Sequence, residues 1–118
     1  MIELNRTYTF EAAHCLPKVP PGHKCGRLHG HSYRLTVTIT GPVGDNGMVM
    51  DFADIDAVAR PLVDQLDHHT LNDIIDNPTS ENLATYIWGA LVNHLPLTAI
   101  TVSETERSSA TYRGIGAL

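Results

Sequence analysis

His29 and His31 stand two residues apart at the start of a run, His29 to Thr40, that reads as a β-strand. On a strand, residues i and i+2 point to the same face, so the two imidazoles can aim at one point. A third histidine, His14, ends another strand-like run, Leu4 to His14. If the two runs pair as antiparallel neighbours, His14 falls opposite the start of the second. Three imidazoles on one sheet face suit zinc, and three protein ligands leave a fourth position open for chemistry. Cys25 lies four residues before His29, in a loop bounded by Gly22 and Gly26. A thiolate is a better zinc ligand than water. A closed structural site with Cys25 as the fourth ligand therefore stays open beside the catalytic reading, and a lone strand histidine is usually just a hydrogen-bonding residue.

Cys25 can instead act as a general base if its thiol is acidified. Lys24, Arg27 and a nearby metal all favour the thiolate. Lys18, Lys24 and Arg27 are three of only eight basic residues, and His23 joins them. Such a local basic loop on an acidic chain can hold a small anion, such as a phosphate chain, although a merely solvated loop has the same composition. Asp67-His68 is a second chemical pair, because a carboxylate can orient an imidazole and raise its basicity. The plain alternative is a capped, solvated helix end. Glu104 shares strand parity with Ile100 and Val102 and so points inward with apolar residues. An inward carboxylate wants a charged or bidentate donor. A structural salt bridge would serve, and so would a ligand with two parallel N–H groups.

The elements that must position these groups follow from patterning. In the first run, Tyr8, Phe10, Ala12 and His14 share a face. Leu16 to Cys25, with Pro17, Pro20, Pro21 and Gly22, reads as a long loop. In the second run, Leu35, Val37 and Ile39 continue the parity of His29, His31 and Tyr33. Gly41-Pro42 and Asp45-Asn46-Gly47 mark turns, with Met48 to Asp51 completing a strand pairing. A helix is expected from an Asp54 cap to about Leu66, either kinked or split at Pro61. A second helix starts at a Thr79 or Ser80 cap, repeats Leu83, Ile87, Leu91 and Leu95, and stops at Pro96. Ala99 to Glu106 and Ala110 to Arg113 read as final strands. The order strand, strand, helix, helix, strand, strand predicts an α+β domain over residues 1–118, with a four-stranded antiparallel sheet and two helices on one face.

Composition sets the outer bounds. The chain has 118 residues, 42% of them apolar, which is enough for one soluble domain with its own core. A net charge of −5 argues against nucleic acid as a general partner. No apolar run approaches a bilayer-spanning length, and the start lacks the pattern of a signal peptide, so no membrane contact and a cytoplasmic setting are expected. Cys15 and Cys25 are then free thiols rather than a disulfide, with Cys15 a buried spectator.

Five segments together resemble one family: Thr9-Phe10-Glu11-Ala12-Ala13-His14, Cys25 through His29-Gly30-His31, Leu66-Asp67-His68-His69, Pro78-Thr79-Ser80-Glu81 and Glu104-Thr105. The chain is similar to the 6-pyruvoyl-tetrahydropterin synthases. Within that family it most resembles the bacterial 6-carboxy-5,6,7,8-tetrahydropterin synthases of queuosine biosynthesis. The resemblance implies the tunnelling fold, in which subunits join sheets into barrels, and a homohexamer of two trimers with active sites between subunits. It implies Zn2+ on His14, His29 and His31, Cys25 as the proton-transferring base, and Asp67 and His68 as a relay. Glu104 would anchor the pterin with help from Thr79 and Ser80, and the departing triphosphate would meet Lys24 and Arg27. The implied substrate is 7,8-dihydroneopterin triphosphate, and the products are 6-carboxy-tetrahydropterin, acetaldehyde and triphosphate. Retention of the carbon chain, as in 6-pyruvoyl-tetrahydropterin synthase itself, is the first rival. An aldolase-like role on a pterin and a non-catalytic zinc-stabilised module are the others.

Overall fold

The computed structural model describes residues 1–115. Two 13-residue strands, β1 (Ile2–His14) and β2 (His29–Gly41), form its spine. They pair antiparallel without a break from Ile2↔Gly41 to His14↔His29. Their length follows from sustained alternation: Tyr8, Phe10, Ala12 and His14 are buried along one strand, and Tyr33, Leu35, Val37 and Ile39 along the other. The opposite face of the sheet carries hydroxyl and amide pairs instead, among them Thr38 to Asn5 at 2.6 Å.

Three further strands and two helices complete the described fold: α1 (Phe52–Leu66), β3 (His69–Thr70), α2 (Ser80–Leu91), β4 (Leu97–Thr105) and β5 (Ser108–Tyr112). The sheet order is β3-β1-β2-β4-β5. It has five strands rather than the four expected, and it is not wholly antiparallel. The extra strand is the two-residue β3, parallel to β1 at Ala12 and Ala13. Two residues are too few to show alternation. The pairing arises because His68, at φ 59°, turns the chain leaving α1 back onto the free edge of β1.

Helix α1 begins at Asp51 rather than Asp54. Asp51 accepts a hydrogen bond from Ala53 N at 2.8 Å, and Asp54 lies in the first turn, where its charge suits the helix dipole. Met48–Asp51 therefore leads into a cap and not into a strand. The helix is continuous through Pro61. Both Pro61 and Ala57, whose carbonyl loses its N–H partner to the proline, are exposed, so water can satisfy the freed group. Thr79 caps α2 through Asn82 N at 3.1 Å. This helix ends at Leu91, ahead of Pro96, and a turn carries Leu95 back into the core. Both helices lie on the apolar face, α1 against β1 and α2 against β4 and β5. Their inward residues Ile55, Ala59, Leu66, Leu83 and Ile87 are fully or almost fully buried.

One polar group ties α1 to the spine. Asp56 takes two hydrogen bonds from Arg6, at 2.9 and 2.8 Å, and one from the Tyr8 hydroxyl at 2.5 Å. These donors, Arg6 foremost, pull the Asp56 carboxyl down from 3.8 to about 2. Burial, followed by Asp56, pushes the Tyr8 hydroxyl up. A depressed carboxyl stabilises the fold fully above its unfolded pKa, and that contribution is lost as pH falls through the folded value. Asp56→Asn should therefore melt below the wild type at pH 7, with the gap closing between about pH 4 and pH 2. Thermal melts across that range are the check, and a gap that stays constant would remove Asp56 from the acid response.

Candidate metal centre

The unbroken register brings three imidazoles together where the sheet's apolar face runs out. His14 is opposite His29, and His31 is opposite Ala12, so all three rings share one face. Ring centroids are 4.6, 5.1 and 4.9 Å apart, and the planes stand at steep angles to one another. One nitrogen from each ring falls within 4.8 Å of the other two.

The outer nitrogens decide what the inner ones can do. His14 Nδ1 lies 2.7 Å from the Pro78 carbonyl, and His29 Nδ1 lies 2.7 Å from the Arg27 carbonyl. A carbonyl only accepts, so each Nδ1 carries the proton and each Nε2 presents a lone pair. Those two Nε2 atoms face each other at 3.0 Å. Lone pairs at that separation repel unless a cation lies between them. His31 Nε2 is buried and has no hydrogen-bond partner among the described residues. Burial, seconded by the other two imidazoles, lowers its pKa against the opposing pull of Glu104, which favours the neutral, metal-binding ring. An orphaned nitrogen beside two converging lone pairs is a donor set that fits a metal ion. In a tetrahedral zinc site with bonds of about 2.0–2.1 Å, nitrogens stand roughly 3.4 Å apart, so small ring movements suffice.

The remaining candidates fall around this centre in two groups. Glu104 Oε2 lies 3.9 Å from His31 Nε2. Glu104 also lines a 590 Å³ cleft together with Thr79, Ser80, Ser109 and Thr111. The strand parity that set Glu104 inward thus places it past the end of the core, between the histidines and this cleft. Cys25 sits in a 3-10 turn, Lys24–Gly26, where His23 Nδ1 accepts from its backbone N–H at 3.0 Å. The half-exposed thiol is not part of the close nitrogen cluster among the described residues. Lys24 and Arg27 are exposed on either side of it.

Asp67 and His68 form the second group, on the far edge of β1. Asp67 Oδ2 and His68 Nδ1 are 2.9 Å apart. The backbone of Glu11 clamps both residues: its N–H donates to Asp67 Oδ1 at 2.8 Å, and its carbonyl accepts from His68 N at 2.5 Å. The Glu11 N–H, followed by His68, lowers the Asp67 pKa. The pair is therefore formed, but the His68 side chain is 78% exposed. It lies along a depression with Glu11, His31, Ser32 and Thr70, whereas Glu104 lines the cleft beside α2. With β1 and β2 between β3 and β4 in the sheet order, one chain carries the two groups on opposite sides of its spine.

Sequence reasoning passed over several supporting residues. Pro78 acts through its carbonyl, which no pattern of side chains reveals. The buried Tyr33 hydroxyl lies 3.3 Å from His14 Nδ1, and its strand parity with His31 was the available signal. Cys15 is half-buried rather than buried, and its backbone is held by Asn72.

An α+β protein with a three-histidine cluster at a sheet end, flanked by a carboxylate-bearing cleft, is a defined class. The sequence matches the 6-pyruvoyl tetrahydropterin synthase family over residues 3–115, and the chain belongs to it. A Synechocystis protein named 6-carboxy-5,6,7,8-tetrahydropterin synthase is 42% identical, with 91% of this chain and 89% of that protein covered. The dihydroneopterin monophosphate aldolase of Pyrococcus furiosus is 40% identical, with 75% and 73% covered. The structure of Caenorhabditis elegans 6-pyruvoyl tetrahydropterin synthase superposes with a TM-score of 0.86 at 29% identity, covering 96% of this chain and 95% of that one.

If the cluster holds a metal at the margin of an independent apolar core, chelation should empty it without unfolding the chain. Far-UV circular dichroism should be unchanged by a chelator, while His31→Ala should weaken zinc binding by at least about 100-fold in chelator competition. Unfolding on chelation would instead make the site a structural one.

Proposed function

We propose that this chain is a zinc-dependent carbon–carbon lyase that converts 7,8-dihydroneopterin triphosphate and water to 6-carboxy-5,6,7,8-tetrahydropterin, acetaldehyde and triphosphate, a step of queuosine formation. The observation that carries the reading is the orphaned His31 Nε2 beside two facing imidazole lone pairs, with Glu104 next to it on the 590 Å³ cleft. The name and coverage of the Synechocystis relative support the particular reaction.

In this reading His14, His29 and His31 hold Zn2+, which when bound supplies Lewis-acid polarisation of the substrate's side-chain oxygens and acidifies the adjoining C–H bonds. Glu104 accepts two parallel N–H groups from the amidine edge of the pterin, and Thr79 and Ser80 hydrogen-bond beside it. Cys25, as a thiolate, takes a proton from side-chain carbon. Lys24 and Arg27 meet the triphosphate as its C–O bond breaks. Asp67 holds the Nδ1–H of His68, which leaves Nε2 to pass a proton on. One carbon–carbon bond of the side chain breaks, the retained carbon keeps its own oxygen and gains the second carboxylate oxygen from water, and the dihydropterin ring takes up the reducing equivalents. Because the Asp67–His68 edge and the Glu104 cleft are separated by β1 and β2, the complete site joins two copies, which accords with a homohexamer of two trimers. The setting is cytoplasmic, with neither nucleic acid nor membrane as a partner.

A second reading is favoured by the Pyrococcus relative: retro-aldol cleavage of the same side chain. The test is product analysis of the zinc-loaded protein with 7,8-dihydroneopterin triphosphate. We expect acetaldehyde by enzymatic trapping and the 6-carboxy product by mass. Phosphorylated glycolaldehyde would point to the aldolase reading, and a product that keeps all three side-chain carbons would point to 6-pyruvoyl-tetrahydropterin synthase activity. Cys25→Ala should keep one zinc per chain while kcat falls by about 10²–10⁴. Loss of zinc from that variant would make Cys25 a ligand instead.

A further inference from the structure

The tripeptide His14-Cys15-Leu16 is held from three directions. The His14 ring donates to the Pro78 carbonyl just ahead of α2 at 2.7 Å. Leu16 N donates to the Cys25 carbonyl at 2.8 Å, which joins the strand end to the turn carrying the thiol. Between them, the Asn72 side chain makes a two-way clamp on Cys15: Oδ1 accepts from Cys15 N at 2.9 Å and Nδ2 donates to Cys15 O at 2.8 Å. The amide thereby supplies both hydrogen bonds that a neighbouring strand would have given one residue past the end of β1. Asn72 belongs to a 3-10 turn, Leu71–Asp73, which follows the Asp67-His68 corner and β3 directly.

We infer that Asn72 is a positioning residue, whose two hydrogen bonds to the Cys15 backbone hold His14 in the metal cluster and tie the Asp67–His68 corner to the Cys25 turn. The inference rests on the proposed reading in one respect only, that the three histidines hold a metal. The physical argument is one of chain ends. A strand terminus without partners frays, and fraying at residue 15 would let His14 swing away from His29 and His31. Asn72 suits the task because its amide offers one acceptor and one donor side by side, which matches the N–H and C=O of a single extended residue. An aspartate would keep the acceptor, lose the donor and set a charge against the Cys15 carbonyl.

The test is metal affinity measured without substrate. Zinc affinity by chelator competition and the visible spectrum of the Co2+-loaded protein are compared for the wild type, Asn72→Ala and Asp56→Asn. Asp56 sits on α1, remote from the metal cluster, so its variant controls for general loss of stability. Well below every melting temperature, Asn72→Ala should bind zinc about 10–100-fold more weakly and show altered Co2+ bands, while Asp56→Asn stays within about threefold of wild type. Zinc affinity within about threefold of wild type for Asn72→Ala would overturn the inference, as would an equal loss in Asp56→Asn. Should Asn72→Ala not fold, Asn72→Asp carries the same thresholds. A wild type that binds no zinc would refute the metal reading itself, which separates that failure from this one.

Discussion

The register of β1 against β2 is the constraint on which everything else depends. Side chains alternate with a period of two, so slipping one strand by a single residue would send Tyr8, Phe10, Ala12 and His14 to the hydroxyl-covered face. The apolar residues alone forbid the slip, because Leu35, Val37 and Ile39 are wholly buried in the present register. The histidine cluster inherits its geometry from that core. His14 meets His29, and His31 falls on the same face, because the twelve consecutive pairs from Ile2↔Gly41 to Ala13↔Gly30 are already locked.

The site spends stability that the core supplies. His14 is 1% exposed, and two lone pairs facing each other at 3.0 Å are repulsive by themselves. His31 adds a buried nitrogen without a partner, which in an ordinary core would be a defect. Backbone carbonyls hold the arrangement in place. Pro78 and Arg27 each fix a tautomer, so the imidazoles cannot escape the conflict by turning a protonated nitrogen inward. A cation relieves all three strains at once. Such strained polar groups concentrate where a ligand is meant to bind.

Patterning revealed the spine, the face of each histidine and the leucine repeat of α2, because each depends on a periodicity that many residues repeat. It also led to Glu104, since parity is inherited along a strand. What it could not reveal depends on single contacts between distant segments. Asp51 competes with Asp54 as a cap, and only the position of the chain before Phe52 decides between them. The two-residue β3 exists because His68 takes a left-handed turn, and no local rule requires a histidine to do so. Pro61 suggested a break, yet the helix continues because its lost hydrogen bond falls on the solvent side. Pro78 acts through its backbone and Asn72 on the backbone of Cys15, so neither had a side-chain signature that pointed to the histidines. The family resemblance spans Pro78 and His68 through the residues it assigns to pterin chemistry, and it gave no role to the Pro78 carbonyl, the His68 turn or Asn72.

The separation of Asp67–His68 from Glu104 gives the proposed homohexamer a physical rationale. Asp67–His68 and Glu104 are parted by the width of β1 and β2, and the spine is too rigid to fold one toward the other. Moving either would break pairs that hold the histidines. A second copy removes the conflict. Among the described residues, no strand pairs with the outer edge of β1 along Ile2–Phe10, since β3 covers only Ala12 and Ala13, and β5 is the edge strand on the other side of the sheet. Open edges of this kind invite pairing with another chain. Joining one copy's β1 edge to the next copy's β5 would bring the exposed His68 of one toward the Glu104 cleft of the other, at the end of the sheet where both lie. In the proposed assembly, the rigidity that fixes the three histidines within a chain is the reason to complete the site between chains.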